Sequence, residues 1–356
     1  MSLLVRILTP DDLIDVMTFG EAISAVRDAF GDLGRNALLN RPRQRVHAPS
    51  GVRISVHPGA PVSWDAVGLL THCEVVNPKG TRQGLEYHAP PVMVVYDSSA
   101  GRLVGIVIGA ISFKGFPEAA TGVRTAATSV IGTDLLARNG PIRVGMFGSG
   151  SQAYYHIIAL SQLRELIEVS VFSPSEDHSK QFVNRVEPLL NCPVRTAGTS
   201  EEAIDGMDVI VLCTSSSVPV FDGRRLRPGQ HVTSIVGGDA GLVDGGFVKQ
   251  KRREIDDQTL RAAHVLMVTS REQASQDKQG DLYDPANSGI ISWDQISELG
   301  EVLVGDRHGR VSEEQITVFK NNGGQGIADV ALASLALQKA EVENKGQIVS
   351  VGESRP

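Results

Sequence analysis

The stretch Gly148-Ser149-Gly150-Ser151-Gln152-Ala153 sets the fold of this chain. It follows an apolar run at residues 144–147, which predicts a strand, and it opens a predicted helix over residues 153–163. In such a unit the first glycine permits the tight turn, the second leaves room for a pyrophosphate, and Ala153 brings the helix close to the sheet. The helix N-terminus offers free N–H groups to phosphate oxygens. The sequence therefore predicts a dinucleotide site with contacts from Gly148, Gly150, Ser151, Gln152 and Ala153.

The residues after this loop alternate between strand and helix patterns. We expect strands over residues 144–147, 168–172, 193–196, 209–214, 231–236, 265–268 and 301–303. We expect helices over residues 153–163, 176–190 and 200–204. Alternation of this kind is typical of a parallel sheet with helices on both faces, so this half of the chain is predicted to be a Rossmann domain.

The N-terminal half has a different pattern, in which predicted helices at 19–33 and 123–138 flank short β-type runs at 52–56, 67–76 and 91–96. A helix predicted at 326–340 is too apolar to stand alone and should pack on this half. Because 356 residues exceed one comfortable core, we predict an α/β protein of two domains. These are a Rossmann NAD(P)-binding domain at 130–318 and a second α/β domain, with a mixed sheet formed from both chain ends, at 1–129 and 319–356.

Composition and charge exclude several classes of protein. The formal net charge of -7 disfavours a nucleic-acid binder, and the one basic run, at 249–253, is short enough to be a solvated helix face. Three widely spaced cysteines suggest neither a disulfide framework nor a metal site. No apolar run approaches the ~20 residues of a membrane helix, and the N-terminus lacks a signal-peptide pattern. We therefore expect a soluble cytoplasmic protein that binds no metal, nucleic acid or membrane.

The end of the second predicted Rossmann strand bears on the choice of cofactor. An acid there binds the ribose 2′-hydroxyl of NAD, but this chain has Ser173-Pro174-Ser175. Hydroxyl groups with His178 and Lys180 nearby suit a 2′-phosphate, although Glu176 and Asp177 lie close in sequence. NADP(H) is therefore the preferred cofactor, and NAD(H) stays possible. The predicted cofactor contacts outside the loop are Thr125, Ser173, Ser175, Lys180 and Thr214.

Four stretches, in this order and spacing, resemble the ornithine cyclodeaminase/mu-crystallin family. They are Val123-Arg124-Thr125-Ala126-Ala127-Thr128-Ser129, the Gly148 loop, Val236-Gly237-Gly238-Asp239, and Val318-Phe319-Lys320-Asn321-Asn322 leading into residues 326–331. The runs at 270–274, 280–282 and 298–302 resemble the amino-acid dehydrogenase-like branch. The resemblance implies hydride exchange between a nicotinamide cofactor and the α-carbon of an amino acid or its imine.

The resemblance also implies roles for individual residues. Arg124 matches one arginine that binds the substrate carboxylate, and Arg45 matches the other, although Arg41, Arg43 and Arg53 compete with Arg45 for that role. A guanidinium suits this task because it binds a carboxylate through two hydrogen bonds. Asp239 matches the family's proton-handling or amine-binding aspartate; the alternative is a turn-capping residue.

The chain departs from the family at a lysine that usually contacts the substrate. Alignment from Asn77 places His72 at the lysine's position, whereas alignment from Gly68 places Leu70 there. A histidine can donate a proton near neutral pH, whereas a leucine removes the function. A histidine in a strand can equally be a hydrogen-bonded core residue. Lys79 or Lys114 are possible substitutes, and His57 adds a second imidazole to the region.

These observations predict an NAD(P)H-dependent imine reductase or amino-acid dehydrogenase that acts on a small imino acid or cyclic ketimine. Two alternatives stay open. One is an ornithine cyclodeaminase-type lyase that uses NAD catalytically, and the other is a mu-crystallin-like protein that binds NADPH and a small ligand without turnover. The resemblance implies a homodimer formed through the second domain, for which the apolar runs at 91–96 and 103–111 are candidates, unless they are core.

Overall fold

The computed structural model describes residues 2–77, 84–86, 89–237, 240–244 and 249–353. The chain forms two compact units, which we call unit 1 (Met1–Arg124 with Gly324–Pro356) and unit 2 (Thr125–Gly323). These boundaries, after Arg124 and after Gly323, lie a few residues from those predicted after residues 129 and 318. Each unit carries its own sheet with helices, and the sheet of unit 1 includes both chain ends, so the predicted α/β class is confirmed.

The strands and helices have the following bounds. The strands are β1 Ser2–Leu8, β2 Gln44–His47, β3 Val52–Gly59, β4 Ala66–Asn77, β5 Gly84–Glu86, β6 Val92–Asp97, β7 Leu103–Ile108, β8 Ile142–Phe147, β9 Leu166–Phe172, β10 Val194–Thr196, β11 Val209–Leu212, β12 His231–Ser234, β13 Val265–Val268, β14 Ile296–Glu298, β15 Thr317–Lys320 and β16 Gln347–Glu353. The helices are α1 Phe19–Arg35, α2 Gly122–Leu136, α3 Ser151–Leu163, α4 Glu176–Val186, α5 Ala240–Asp244, α6 Asp257–Ala262, α7 Arg271–Gln276, α8 Tyr283–Asn287, α9 Leu299–Leu303 and α10 Gly326–Val342. Across the described ranges, every helix is too short or too polar to cross a lipid bilayer.

The sheet of unit 1 is mixed and joins the two chain ends. Its order is β16-β1-β7-β6-β4-β3-β2, with β5 beside β4, and β1 pairs antiparallel with β16 but parallel with β7. Helix α10 is buried along most of its length and packs on the sheet, as its apolar sequence predicts. Gly326 is required at its start, because a Cβ there would lie 2.3 Å from the His57 carbonyl oxygen.

One face of this sheet is covered and the other is open. Along β3 and β4 the side chains alternate with the period of two that strands impose. Arg53, Ser55 and His57 on β3 are buried, and they pair with Glu74, His72 and Leu70 on β4, which are also buried. A covered sheet face is ordinarily apolar, so these polar side chains require partners.

The sheet of unit 2 is parallel throughout, in the order β10-β9-β8-β11-β12-β15-β13-β14. From β8 the chain first adds strands on one side, β9 and β10, and then returns to add β11 and β12 on the other. In open parallel sheets the carboxyl ends of the strands beside such a reversal form the ligand crevice. The loops that follow β8 and β11 therefore border the crevice where such sheets bind ligands.

Three local predictions are wrong. Residues 301–303 belong to helix α9, and the strand lies just before them at Ile296–Glu298, because a capping box between Glu298 and Glu301 starts a helix there. Short apolar runs do not distinguish the two structures by periodicity. Residues 200–206 form hydrogen-bonded turns instead of a helix, and the left-handed Gly206 (φ 77°) ends them. The basic run at 249–253 is irregular and not a helix face, and its Lys251 pairs with Asp284 at 2.5 Å.

Candidate functional site

Residues 148–153, which we call the phosphate loop after their predicted ligand, have the backbone geometry that their sequence predicts. Gly148 has φ +103°, and a Cβ on it would lie 2.5 Å from the carbonyl oxygen of Cys213, so only glycine fits between β8 and the end of β11. Gly150 is the N-cap of α3, and among the described residues nothing lies within 4 Å of a Cβ built on it. Ala153 is fully buried. Ser151 and Gln152 form the first turn of α3, whose free N–H groups can donate to an anion.

The end of β9 holds the residues that we predicted for cofactor choice. Ser173 follows the strand directly and is half-buried. Ser175 caps α4 and accepts a hydrogen bond from the backbone N–H of His178 at 3.3 Å. Lys180 is exposed and forms an ion pair with Glu176, with 2.6 Å between Nζ and Oε1. The charge of Lys180 is therefore already paired.

A directed chain of hydrogen bonds links Thr125 to the phosphate loop. The Asn321 side-chain amide donates to the Thr125 carbonyl at 3.0 Å and to Ser129 Oγ at 2.9 Å. Ser129 Oγ lies 2.8 Å from His156 Nε2, and His156 Nδ1 lies 2.7 Å from the Gln152 carbonyl oxygen. Burial lowers the pKa of His156 to about 4, so a neutral ring donates from Nδ1 and accepts at Nε2. This network fixes the backbone at both Thr125 and Gln152.

Thr214 follows β11 and is held by a carboxylate that the sequence did not single out. Its backbone N–H and its hydroxyl both donate to Glu254 Oε1, at 2.6 and 2.8 Å. Glu254 is fully buried, as are Lys320 and Asp281, which contact each other. The signals for them were present: Lys320 follows the apolar pair Val318-Phe319 at the end of a strand, and Asp281 follows Gly280 in one of the family-like runs.

Unit 1 contains a line of buried polar side chains, which we call the buried polar chain: Arg53, Glu74, His72, His57, Asp329 and Arg124. At one end Arg53 donates from Nε to Glu74 Oε2 at 2.7 Å, and Glu74 Oε1 lies 3.3 Å from His72 Nδ1. The His72 ring meets the His57 ring edge-on, with centroids 5.2 Å apart. Burial raises the pKa of Glu74, but the hydrogen bond from His72 and the charge of Arg53 outweigh it and lower that pKa to about 2.

Asp329 on α10 joins the other end of the buried polar chain. Its Oδ2 lies 3.2 Å from His57 Nδ1, and its Oδ1 accepts from Arg124 Nε at 2.9 Å. Burial lowers the pKa of His57 to about 4, so this ring is neutral and donates from Nδ1. Burial raises the pKa of Asp329, but the charge of Arg124 outweighs burial and keeps that pKa below its ordinary value. The carboxylate thereby fixes the orientation of both neighbours.

The structure brings most of the predicted substrate residues into unit 1. Arg45 on β2 pairs with Ser55 on β3, which pairs with His72 on β4, so Arg45 and His72 lie in one cross-strand row. Arg124 is connected to His72 through Asp329 and His57. Asp239 lies outside the described residues.

Both positions considered for the family lysine lie on the covered face of β4. His72 is inside the buried polar chain, whereas Leu70, one row along, lines a cavity together with Arg124 and Asp329. The other walls of that cavity include Met93, Ile111 and Leu332. Of the possible substitutes, Lys114 is exposed, and Lys79 lies outside the described residues.

Asp329 is a residue of the buried polar chain that the sequence reasoning missed. It lies in the family-like stretch at 326–331 and is the acid in the first turn of the apolar helix α10. A buried acid requires a charged or hydrogen-bonded partner, and this requirement was the available signal.

Comparisons with known proteins identify the family. The model of the ornithine cyclodeaminase/mu-crystallin family matches residues 12–344. A Delta(1)-pyrroline-2-carboxylate reductase of Bacillus cereus is 28% identical over 228 residues, which are 64% of this chain and 66% of that protein. The match therefore spans just under two thirds of the length of that relative.

Solved structures agree over almost the whole chain. The Delta(1)-pyrroline-2-carboxylate reductase of Thermococcus litoralis, in complex with NADH and L-proline, has a TM-score of 0.80 at 26% identity and covers 96% of this chain and 99% of its own. An archaeal alanine dehydrogenase dimer with bound NAD has a TM-score of 0.81 at 25% identity, covering 98% and 100%. Together with the family match, these likenesses confirm the resemblance: the chain belongs to the ornithine cyclodeaminase/mu-crystallin family.

Proposed function

We propose that this protein is a nicotinamide-dependent oxidoreductase that reduces a small α-imino acid or cyclic ketimine, or performs the reverse dehydrogenation of the amino acid. The observation that carries the proposal is the turn between β8 and α3, which lies where the strand order of the unit 2 sheet reverses. There Gly148 allows the turn and Gly150 leaves open space before the N-terminus of α3. The relatives named as pyrroline-2-carboxylate reductases favour an imine over other acceptors.

The described residues fit a dinucleotide. Its pyrophosphate would be held by Gly148, Gly150 and the first turn of α3. The glycines leave the backbone uncovered by side chains, and the helix N-terminus adds the positive end of a helix dipole. The Gln152 side-chain oxygen is buried without a hydrogen-bond partner among the described residues, so it is available to a bound group. A reduced nicotinamide supplies the hydride that converts the C=N bond of an imino acid into a C–N bond.

The predicted substrate residues supply the amino-acid chemistry in this proposal. Arg124, oriented by Asp329, and Arg45 bind the α-carboxylate of the substrate. Asp239, from the Gly237-Gly238 motif, exchanges the proton at the substrate nitrogen. His72 shares that task or holds the neighbouring groups in place, since it already contacts Glu74 and His57.

We further propose a preference for NADP(H). Ser173 stands directly after β9, where a carboxylate would repel a 2′-phosphate. Ser175 is engaged as the α4 cap, and Lys180 is paired with Glu176, so Ser173 is the stronger candidate for a phosphate contact.

The function is tested by measuring NADPH and NADH oxidation with pyrroline-2-carboxylate and with mixtures of pyruvate and an amine. We expect turnover, and tighter binding of NADPH than of NADH in a fluorescence titration. Tighter binding of NADH would overturn the cofactor preference alone. Tight cofactor binding without turnover of any imine would favour a mu-crystallin-like binder, whereas release of ammonia from ornithine without net oxidation would favour a cyclodeaminase.

We also propose that two copies of the chain associate through the open face of the unit 1 sheet. Large apolar side chains on this face are 36 to 42% exposed, and they alternate with the covered ones: Val52, Ile54, Val67, Tyr96 and Val104. An apolar face of several strands is more than a monomer ordinarily leaves in water. The archaeal relative described as a dimer supports this proposal.

Light scattering after size exclusion is expected to give twice the chain mass of 38.0 kDa. Replacing Ile54 and Val67 together by arginine should reduce the mass to that of one chain, because charges would then face each other across the contact. The matched control is Val311→Arg, which alters a more exposed valine (68%) of unit 2 and should leave the dimer intact. A native protein of single-chain mass would rule the dimer out.

A further inference from the structure

The carboxylate of Glu254 connects the ends of two neighbouring strands of unit 2. Its Oε1 accepts the two hydrogen bonds from Thr214, just after β11. Its Oε2 accepts from Ser234 Oγ at 2.8 Å, and from the backbone N–H groups of Ile235 at 3.2 Å and Val236 at 3.0 Å, just after β12. One carboxylate therefore satisfies the donors of both turns.

A second carboxylate and a lysine hold Glu254 in place. Asp281 Oδ1 accepts from the backbone N–H groups of Glu254 and Ile255, at 2.9 and 3.1 Å. Asp281 Oδ2 pairs with Lys320 Nζ at 2.5 Å, and the same ammonium donates to Ser234 Oγ at 2.9 Å. Glu254 and Lys320 are 0% exposed and Asp281 is 1% exposed. We call these three residues the Glu254 network.

The position of the Glu254 network in the fold points to a role beyond stabilising the protein. Buried charges are retained at a cost in desolvation, and an apolar replacement of similar volume is often no less stable. Here the donors that Glu254 satisfies are those of two turns at the carboxyl ends of adjacent parallel strands, where a crevice ligand binds. The first turn carries Thr214, and the second leads in sequence to Gly237-Gly238-Asp239.

We propose that Glu254 is a positioning residue for the nicotinamide site, which it serves by fixing the turns after β11 and β12 through opposite oxygens of one carboxylate. The inference rests on the proposed cofactor site. Glu254 itself contacts no substrate in this scheme; it sets where Thr214 and the backbone at Val236 lie. Asp281 and Lys320 act one step further away, by holding Glu254.

Glu254→Gln is the informative variant, because glutamine has nearly the same shape but only one acceptor oxygen. Whichever way its amide lies, one of the two turns faces an NH₂ group instead of an acceptor. We expect the dissociation constants of NADPH and NADH to rise about tenfold or more, since leaving buried donors unpaired is costly. Amide hydrogen exchange at residues 209–216 and 231–237 should become faster.

The matched control is Glu298→Gln, which alters a partly buried carboxylate on β14, at the edge of the same sheet, that accepts from the Arg271 N–H at 2.6 Å. It should leave cofactor affinity within about twofold of the native value. A double-mutant cycle with Thr214→Val adds a result that a merely structural role would not produce. The valine should weaken cofactor binding in the native background and have little further effect when it is combined with Glu254→Gln.

Glu254→Asp keeps the charge but is too short to reach both turns, so it replaces Glu254→Gln in the cycle if the glutamine variant does not fold. Unchanged cofactor affinity together with unchanged exchange in both segments would overturn the inference. If the native protein binds a nicotinamide but reduces no imine, the proposed reaction fails and the inference stands on the affinities. If it binds no nicotinamide, the proposed cofactor site fails and the positioning role fails with it.

Discussion

Replacing Arg124 by lysine is expected to lower kcat/KM for the imino acid by a factor on the order of 10² to 10³, because truncating one partner of a buried hydrogen-bonded charge pair costs about 2–5 kcal/mol. Lysine keeps the positive charge beside Asp329 but loses the planar fork that binds a carboxylate through two parallel hydrogen bonds. The loss should be divided between a higher KM and a lower kcat, since the carboxylate contact both binds and orients the substrate.

Cofactor affinity separates this effect from misfolding. The phosphate loop belongs to unit 2, so the dissociation constant of NADPH should stay near its native value in Arg124→Lys. Arg124→Ala should abolish turnover altogether. It also removes the hydrogen bond from Arg124 to Asp329, whereas the contact between Asp329 and His57 stays.

Arg164→Lys is the matched control, because Arg164 is another largely buried arginine in an ion pair, 2.8 Å from Asp134, and has no proposed contact with substrate. Its kcat/KM should stay close to native. An Arg124→Lys enzyme with native kinetics would remove Arg124 from the substrate site.

Acidification from pH 7.5 to 5 is expected to lower the free energy of unfolding by up to about 6 kcal/mol, with about 2 kcal/mol from each of three buried histidines. Burial lowers the pKa of His57 and His156 to about 4 and that of His231 to about 3. Below the unfolded pKa of about 6.5, the unfolded chain binds protons that the native rings do not, so stability falls as the pH falls through this window.

Carboxylates with a raised pKa act in the opposite sense, and Glu254 and Glu298 are examples. Burial raises the pKa of Glu254 and of Glu298, so the native state gains protons there before the unfolded chain does. Their contribution to the free energy of unfolding therefore has the opposite sign to that of the histidines.

Urea unfolding of the His231→Asn variant at pH 7.5 and at pH 5 measures how much of the lost unfolding free energy comes from His231. Both ring nitrogens of His231 have hydrogen bonds, to Thr317 Oγ1 at 2.9 Å and Thr233 Oγ1 at 2.8 Å, so the variant should be less stable at pH 7.5. It should then lose about 2 kcal/mol less than the native protein on acidification. His178→Asn, which alters an exposed histidine, should follow the native protein. Equal losses in all three proteins would contradict a neutral buried His231.

Much of the order of elements in unit 2 was accessible from sequence because its strands are short and apolar and several of them alternate with helices. The parallel class follows from that alternation, and Gly148 was predicted from a backbone requirement that the structure shows as a left-handed residue against Cys213. Residues 301–303 show the limit of such reasoning. Their apolar character fits either a strand or a helix, and a capping contact between Glu298 and Glu301 decided the outcome.

Among the candidate site residues, Gly148, Gly150 and Ser173 were predicted from local motifs, and Arg124 was predicted from the family resemblance. The sequence did not mark Glu254, whose role depends on Thr214 and Val236 being brought together by adjacent strands. It also did not mark Asp329, whose partners come from β3 and α2, far away in sequence. A buried charge has meaning only with its partner, and pairing across long sequence separations is set by strand order and helix packing.

The class of fold and the family could be established from the sequence, and the backbone geometry of the loop at 148–153 could be predicted from it, since these depend on periodicity, turn chemistry and motif order along the chain. The folded chain was needed to show that His72 lies within a buried polar chain and that Leu70 lines the cavity beside Arg124. The register of β3 against β4 places the two residues in successive rows of the same covered face. Which neighbours each one has then depends on α10, whose Asp329 comes from the other end of the chain.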